Sequence, residues 1–504
     1  MKIWRFLLLS TSLWSCVGVA EPFVYVVGGS TSSHHAVIDT ATNQVVATFD
    51  AGTYARGSAI SPAGSRLYIT SPGSGQVDVV NVATNRLLAS PPVPLGEGGP
   101  TLPASPTVVV DPSGSHVYVA AASVYKFISV INAGTSELSA TIPLADSPAD
   151  LAFSPDGKLL YVLNATIDAI SILDAASGSV VGNLAGRFSL LPSTMTLNHA
   201  GRKLYVAYPF QRDVIRPYPP ARIVTEIDSL SGQAVDVDVG AQPFQVAVSG
   251  DDRRLYVATS AGVSVVDATT RTVLANIPIS EDSRRRLALT QAGDRLYVTN
   301  SLSDSVTVLD TNSFGVVATI PFYFFPVSIA MGVPQKTVVE YFNPDLDNYF
   351  VTADAAEQKF VDTGAVGNWQ RTGLSFKTSG PAKVCRFYGN TNVSPATGLI
   401  YGPNSHFYTA AGSECDGLKS MFNPNAPSWR FESLDFQIAV PDSTGACPAG
   451  TVPVYRAYDN SPCVGQSSAC KPQPNHRLTI RADAIAEVVT RGWTAEGVAM
   501  CALE

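Results

Sequence analysis

From Phe23 to about residue 333 the chain alternates apolar and polar positions in short runs, as in Ser305-Val306-Thr307-Val308-Leu309-Asp310, and β-branched residues dominate them. Alternation with period two predicts strands with one buried face, and helical periodicity is absent. The runs recur as a unit. An apolar strand ends near Ser-Pro-x-Gly, a second reads Leu-Tyr-Val, a third ends in Asp or Asn, and after a tight turn a fourth reads like Val-Ala-Thr-Ile-Pro. The tyrosine of the second strand falls at Tyr25, Tyr68, Tyr118, Tyr161, Tyr205, Tyr256 and Tyr297, with neighbours 41 to 51 residues apart. That is the length of a four-stranded propeller blade. The third strand ends at Asp39, Asn81, Asn132, Asp174, Asp228, Asp267 and Asp310, an independent count of seven. Small polar residues follow each of these, so a short side-chain acceptor holding the turn's own N–H groups explains them without a metal.

The first repeat lacks a first strand, and Pro326 to Met331 is a first strand with no repeat behind it. Pairing the two completes a blade from both ends of the region and leaves no open sheet edge. The expectation is a mainly β chain, with a seven-bladed propeller over 21–334 closed by its terminal strands.

After Val333 the pattern changes to three units. The first holds Tyr341-Phe342-Asn343, Asn348-Tyr349-Phe350-Val351-Thr352, Glu357 and Trp369; the second Arg386-Phe387-Tyr388-Gly389, Ser405-His406-Phe407-Tyr408-Thr409, Glu414 and Trp429; the third Tyr455-Arg456-Ala457-Tyr458, Asn475-His476-Arg477-Leu478-Thr479 and Trp493. A short helix is expected before each Trp, clearest at 482–491 and 353–362. Residues 335–504 therefore read as a smaller, pseudo-threefold, β-rich domain in which each Trp, followed by a periodic strand, belongs to the core.

Residues 1–20 have a basic start (Lys2, Arg5), an apolar stretch from Phe6 to Trp14, and Gly18 and Ala20 at −3 and −1 to a cut before Glu21. This is the pattern of a secretory signal peptide, too short to span a membrane. A lipoprotein box ending at Cys16 is the competing reading, and Trp14 fits it poorly. The expected location is periplasmic, secreted or cell-surface, without a transmembrane segment. In an oxidising compartment Cys385, Cys415, Cys447, Cys463, Cys470 and Cys501 suit three disulfides. Fifteen pairings are open to six cysteines; Cys385 with Cys415, Cys463 with Cys470, and Cys447 with Cys501 is the one favoured. No C-x-x-C or C-x-x-H pair points to zinc.

The full chain carries a net charge of −8 and no basic run, which argues against a nucleic-acid partner. Strand connections are short at Ser61-Pro62-Ala63-Gly64 and Ser154-Pro155-Asp156-Gly157 and long at 90–105, 184–193, 207–222 and 280–286. In a propeller the long ones share a face, which marks a binding surface. That face offers Arg56, Arg212, Arg216, Tyr218, Arg284, Arg285, Arg286 and Tyr323 for an anionic or carbohydrate-like ligand, through forked hydrogen bonds and ring stacking. Ordinary solvated loop residues are the alternative, and replacing Arg284 to Arg286 by Ser is expected to leave melting nearly unchanged.

Tyr297-Val298-Thr299-Asn300 and the Ser154-Pro155-Asp156-Gly157 turn make the first region resemble the YVTN-repeat β-propellers. That resemblance implies an exported binding scaffold; more distant lactonase-like and quinoprotein propellers are enzymes. His406-Phe407-Tyr408-Thr409 and Trp493-Thr494-Ala495-Glu496-Gly497 make the second region resemble exported bacterial repeat domains without an established role, found beside hydrolases and adhesin-like modules. The first unit departs from that pattern, with Tyr349 where the others have His406 and His476.

No G-x-S-x-G, H-E-x-x-H or phosphate-cradling motif occurs, and no catalytic residue, metal or cofactor is assigned. The adjacent His34 and His35 would point to opposite faces of a strand. The reading is a non-enzymatic exported binding or scaffold protein whose partner is an envelope glycan, surface polymer or protein. The alternative is a lactonase-type or other hydrolase with a metal at the channel mouth, where Asp150 is a single candidate ligand.

Overall fold

The computed structural model describes residues 23–503 apart from 30–32, 83, 96–106, 122–124, 168, 186–189, 212–219, 281–284, 333–335, 346, 379, 381, 390–391, 394–399, 402–405, 422–428, 443, 449–450 and 460–474. The leader, Cys16, Arg212, Arg216, Tyr218, Arg284, Cys463 and Cys470 lie outside them.

Seven antiparallel sheets form the first region. Each contains the Leu-Tyr-Val strand second from the inside. The ring closes as expected: Pro326–Met331 pairs with Phe23–Gly28, Tyr25 opposite Ala330 and Val26 opposite Ile329. Blade one thus takes its inner strand from the end of the region and its other three from the start.

The apolar core is divided into slabs, one between each pair of neighbouring blades. Tyr25, Val37, Leu67 and Val80 fill the slab between blades one and two; Val24, Ile38, Tyr297 and Val308 fill the one between seven and one. Polar latches tie the same interfaces. The Tyr25 hydroxyl donates to Val82 O at 3.0 Å, Tyr118 to Ala175 O at 3.3 Å, and Tyr297 to Asn43 Oδ1 at 2.8 Å, each reaching the next blade. At these three positions the repeated tyrosine therefore supplies both a buried ring and a hydrogen bond between blades.

The repeated Asp and Asn hold their own turns. Asp39 accepts from Ala41 N at 2.7 Å, Asn81 from Thr84 N at 2.9 Å, Asn132 from Thr135 N at 3.0 Å, Asp174 from Ser177 N at 2.8 Å, Asp228 from Ser231 N at 2.8 Å, Asp267 from Thr270 N at 2.7 Å and Asp310 from Ser313 N at 2.8 Å. These bonds favour the ionised acid, and the carboxyls of Asp174, Asp228, Asp267 and Asp310 are held below their ordinary range.

The second region has the expected threefold plan, three strands and a helix per unit. In each unit the first strand is central: Lys336–Asn343 between Asn348–Thr352 and Gln370–Thr378; Ala382–Gly389 between His406–Thr409 and Trp429–Ile438; Thr451–Tyr458 between His476–Thr479 and Thr494–Leu503. The outer units join into one six-stranded sheet and the middle unit stands apart as a three-stranded one. The helices are Ala355–Asp362, Gly412–Ser420 and Ala482–Thr490. Val338, Val351, Val384, Phe436, Val454 and Met500 build a core shared by all three units. Each Trp packs against its own unit's helix: Trp369 with Val361, Trp429 with Cys415, and Trp493 with Ile485 and Val488.

Two disulfides match the favoured pairing, Cys385–Cys415 and Cys447–Cys501. The first ties the middle unit's central strand to its helix. The second lies at the junction of the regions, where Cys447, Cys501 and Ala439 pack against Ala63 of the blade-two Ser-Pro-Ala-Gly turn.

Candidate functional site

That junction gives the propeller two unlike faces. Ala63 belongs to the short turns between first and second strands, so the C-terminal region sits on the short-turn face. The long connections emerge on the opposite one.

The register of the first strands sets which residues ring the channel on the long-loop side. Ile329, Ser58, Val108, Leu151, Met195, Val246 and Leu287 pair with equivalent second-strand positions. The residues one step earlier form a level: Ser328, Gly57, Thr107, Asp150, Thr194, Gln245 and Arg286. Their side chains rivet neighbouring blades. Ser58 and Ser328 share a bond of 2.8 Å, Thr107 donates to Asp150 Oδ1 at 2.9 Å, Met195 N to Asp150 Oδ2 at 2.8 Å, Thr194 Oγ1 to Phe244 O at 3.0 Å and Leu287 N to Gln245 Oε1 at 2.8 Å. Asp150 thereby links three blades. Desolvation raises its pKa, while the Met195 and Leu151 N–H groups, the Thr107 hydroxyl and the charge of Arg286 oppose that rise. Its six equivalents include no carboxylate or imidazole, and among the described residues no group of three or more His, Cys, Asp or Glu is arranged to hold a metal ion.

The expected arginines separate into different roles. Arg285 is fully buried, and its guanidinium donates to Thr259 O at 3.0 Å, Asn300 Oδ1 and Ser280 O. It clamps the strand ends of blades six and seven, so its burial removes it from a ligand surface. Arg286 is half-buried at the channel level and donates to Arg285 O at 3.2 Å. Arg56 occupies the Arg285-equivalent place in blade two but stays half-buried, with Nη1 3.4 Å from Ala55 O. Tyr323 is fully exposed.

Tyr54 was not among the expected residues. It is 45% exposed and holds a left-handed backbone, φ 57°, that bulky side chains rarely adopt. Its ring lies on Gly73, where an added Cβ would come within 2.4 Å of it. The loops of Tyr54 and Tyr323 are anchored in one apolar cluster, Phe49, Ala51 and Ala55 from one side and Phe325 and Val327 from the other. Two exposed tyrosines and Arg56 therefore flank blade one on the long-loop face. His34 lies on the same face, 2.6 Å from Asp50, while His35 points inward and is buried.

In the C-terminal region the motif residues form seams between units. Arg386 of unit two reaches Glu357 of unit one at 2.7 Å and stacks over Phe350; Arg456 of unit three reaches Glu414 of unit two at 3.5 Å and stacks over Phe407. Glu432 and Glu496, the Trp-x-x-Glu acids, bind the same arginines at 3.0 and 2.7 Å. At the third seam the charges are exchanged. Glu340 takes the place of the strand arginine, Arg477 that of the aromatic, and Thr372 and Ala484 those of the two acids. His406 and His476 sit in separate aromatic stacks, on Tyr388 and Tyr458. Burial and the charge of Arg456 push His476 down to about 3.

Comparisons with known proteins bear on each of the two regions. Residues 400–503 match a domain of unknown function, DUF5648. The chain is similar to a seven-bladed β-propeller protein. This is Rv1057 of Mycobacterium tuberculosis, 27% identical over 304 residues, which cover 52% of this chain and 73% of that protein. The uncharacterized protein YwhL of Bacillus subtilis is 26% identical over 239 residues, 44% of this chain and 47% of that protein. A functionally unknown protein from Desulfotomaculum acetoxidans superposes with a TM-score of 0.50 at 16% identity, over 62% of this chain and 99% of that one, a likeness of fold alone.

Proposed function

We propose that the chain is an exported, non-enzymatic binding or scaffold protein, whose ligand or partner surface is the long-loop face of the propeller and whose C-terminal region is an accessory binding module. The observation that carries this reading is the placement of the C-terminal region against Ala63 on the short-turn face, away from the long loops with Tyr54, Arg56, Arg286 and Tyr323. Concave mouths with exposed aromatics and a few arginines suit polyol and anionic groups. Export is supported by the leader pattern and by two disulfides. No helix among the described residues is long and apolar enough to cross a membrane.

The test uses the disulfide-intact mature protein on a glycan array and on purified envelope polymer. A variant with Tyr54→Ser, Arg56→Ser and Tyr323→Ser should lose binding while Ala63→Ser keeps it. Equal binding by both variants removes the long-loop face from the site.

A further inference from the structure

In three blades the residue two before the second-strand tyrosine is a long cation that reaches the next blade. Arg66 donates to Ala133 O, Lys203 Nζ to Ala268 O at 3.5 Å, and Arg254 Nη1 to Thr311 O at 3.0 Å. In blade three this position is His116. The carbonyl it would meet, Ala175 O, is taken by the Tyr118 hydroxyl. The shorter side chain leaves a cleft of about 530 Å³ between blades three and four, within the range of small-molecule sites.

The cleft has one polar end and one apolar wall. Asp111 and His116 stand at the polar end, with His116 Nδ1 3.6 Å from Asp111 Oδ2. Asp111 Oδ1 accepts from His116 N at 3.1 Å and Oδ2 from Ser113 Oγ at 2.8 Å, which leaves each oxygen a second lone pair. Val130, Ile142 and Phe153 form the wall, Phe153 edge-on to Tyr118 with ring centres 4.9 Å apart. The lining carries this one carboxylate and no Lys or Arg. The turn that presents Asp111 also touches the C-terminal region, because a Cβ added at Gly114 would lie 3.4 Å from Pro448 Cβ. Boundaries between folded units are common places for ligand sites.

We propose that this cleft binds a small amine carried on an apolar body, its ammonium group at Asp111 and its body against Phe153 and Ile142. The single carboxylate selects the charge, and the aromatic rings favour a cation over an anion. This site is independent of the long-loop face.

The probe is phenethylamine, with phenylacetate and 2-phenylethanol as matched anionic and neutral controls, titrated calorimetrically into the disulfide-intact mature protein. Phenethylamine should bind at least roughly tenfold more tightly than either control, and Asp111→Asn, which keeps an acceptor for His116 N, should weaken it roughly tenfold, about 1.4 kcal/mol of lost charge attraction. His116→Arg installs the cation that blades two and six already use, so it should fill the cleft and abolish binding without lowering the melting temperature. A variant with Tyr54→Ser and Tyr323→Ser should bind phenethylamine as the parent does. Binding of the controls as tight as that of the amine, undiminished binding by His116→Arg, or no binding of phenethylamine by the parent would each overturn the proposal.

Discussion

Arg477 and Glu340 form a buried two-point ion pair, Nε to Oε1 at 3.0 Å and Nη2 to Oε2 at 3.3 Å, across 137 residues. The pair closes the C-terminal threefold with the charges exchanged relative to the other two seams. Glu340→Gln should leave the buried guanidinium facing only the more distant, exposed Glu487 at 3.9 Å among the described carboxylates and cost about 3 kcal/mol. The tryptophans beyond residue 20 are Trp369, Trp429 and Trp493, so denaturant unfolding followed by tryptophan fluorescence reads this region alone. Rebuilding the seam in the other polarity, with Glu340→Arg, Arg477→Phe and Ala484→Glu, should recover part of the loss.

Deleting 326–334 should abolish the cooperative transition of the propeller, because blade one then lacks the strand paired to Phe23–Gly28. Circular dichroism at the strand band is the measurement. An unchanged transition would mean that the ring does not depend on that strand.

Arg285 and Arg56 occupy equivalent places and should respond unequally. Arg285→Ala removes a buried guanidinium and orphans several carbonyls, a loss of about 3 kcal/mol. Arg56→Ala, at a half-buried position in contact with solvent, should cost clearly less, about 1 kcal/mol. Thermal melts of the two variants separate the clamp from the surface residue, and the burial of Arg285 already runs against the expectation that replacing Arg284 to Arg286 leaves melting nearly unchanged.

Burial pushes His35 down to about 4 from the ordinary 6.5. The unfolded chain therefore takes up a proton as pH falls through 6.5, while the folded chain does so only near 4. Stability is fully present above 6.5 and is lost as pH falls through that window, by up to about 3 kcal/mol for this one group. His35→Asn keeps an acceptor for Gly28 N, which bonds to His35 Nδ1 at 3.1 Å. That variant should flatten the acid limb of propeller stability between those pH values.

Much of the scaffold was legible because the repeat forces it. A tyrosine whose ring fills a slab recurs seven times, and an Asp or Asn that holds its own turn recurs with it, so both counts led to the same ring. Cys385 with Cys415 was one favoured choice among fifteen pairings, and the middle unit's central strand and helix bring the two together. The site was less legible. Arg285 and Arg56 look alike in the chain and differ only in what closes over them. Tyr54 carries no local signal, since its left-handed backbone is imposed by the turn onto Gly73. The exchanged charges at Glu340 and Arg477 become readable only when the strand facing each position is known.

The strand Pro326–Met331 closes the ring and is also the last propeller strand before the C-terminal region begins at Lys336–Asn343. Tension applied through that region is therefore delivered to the ring's fastener. Val24 lies opposite Met331, so Phe23 and Met331 leave from the same end of the paired strands. Pulling those two ends apart peels the pairing bond by bond, whereas a load held by a partner on the long-loop face loads the strand along its length, against all its hydrogen bonds together. The direction of the load decides whether the propeller opens at its closing strand or resists there.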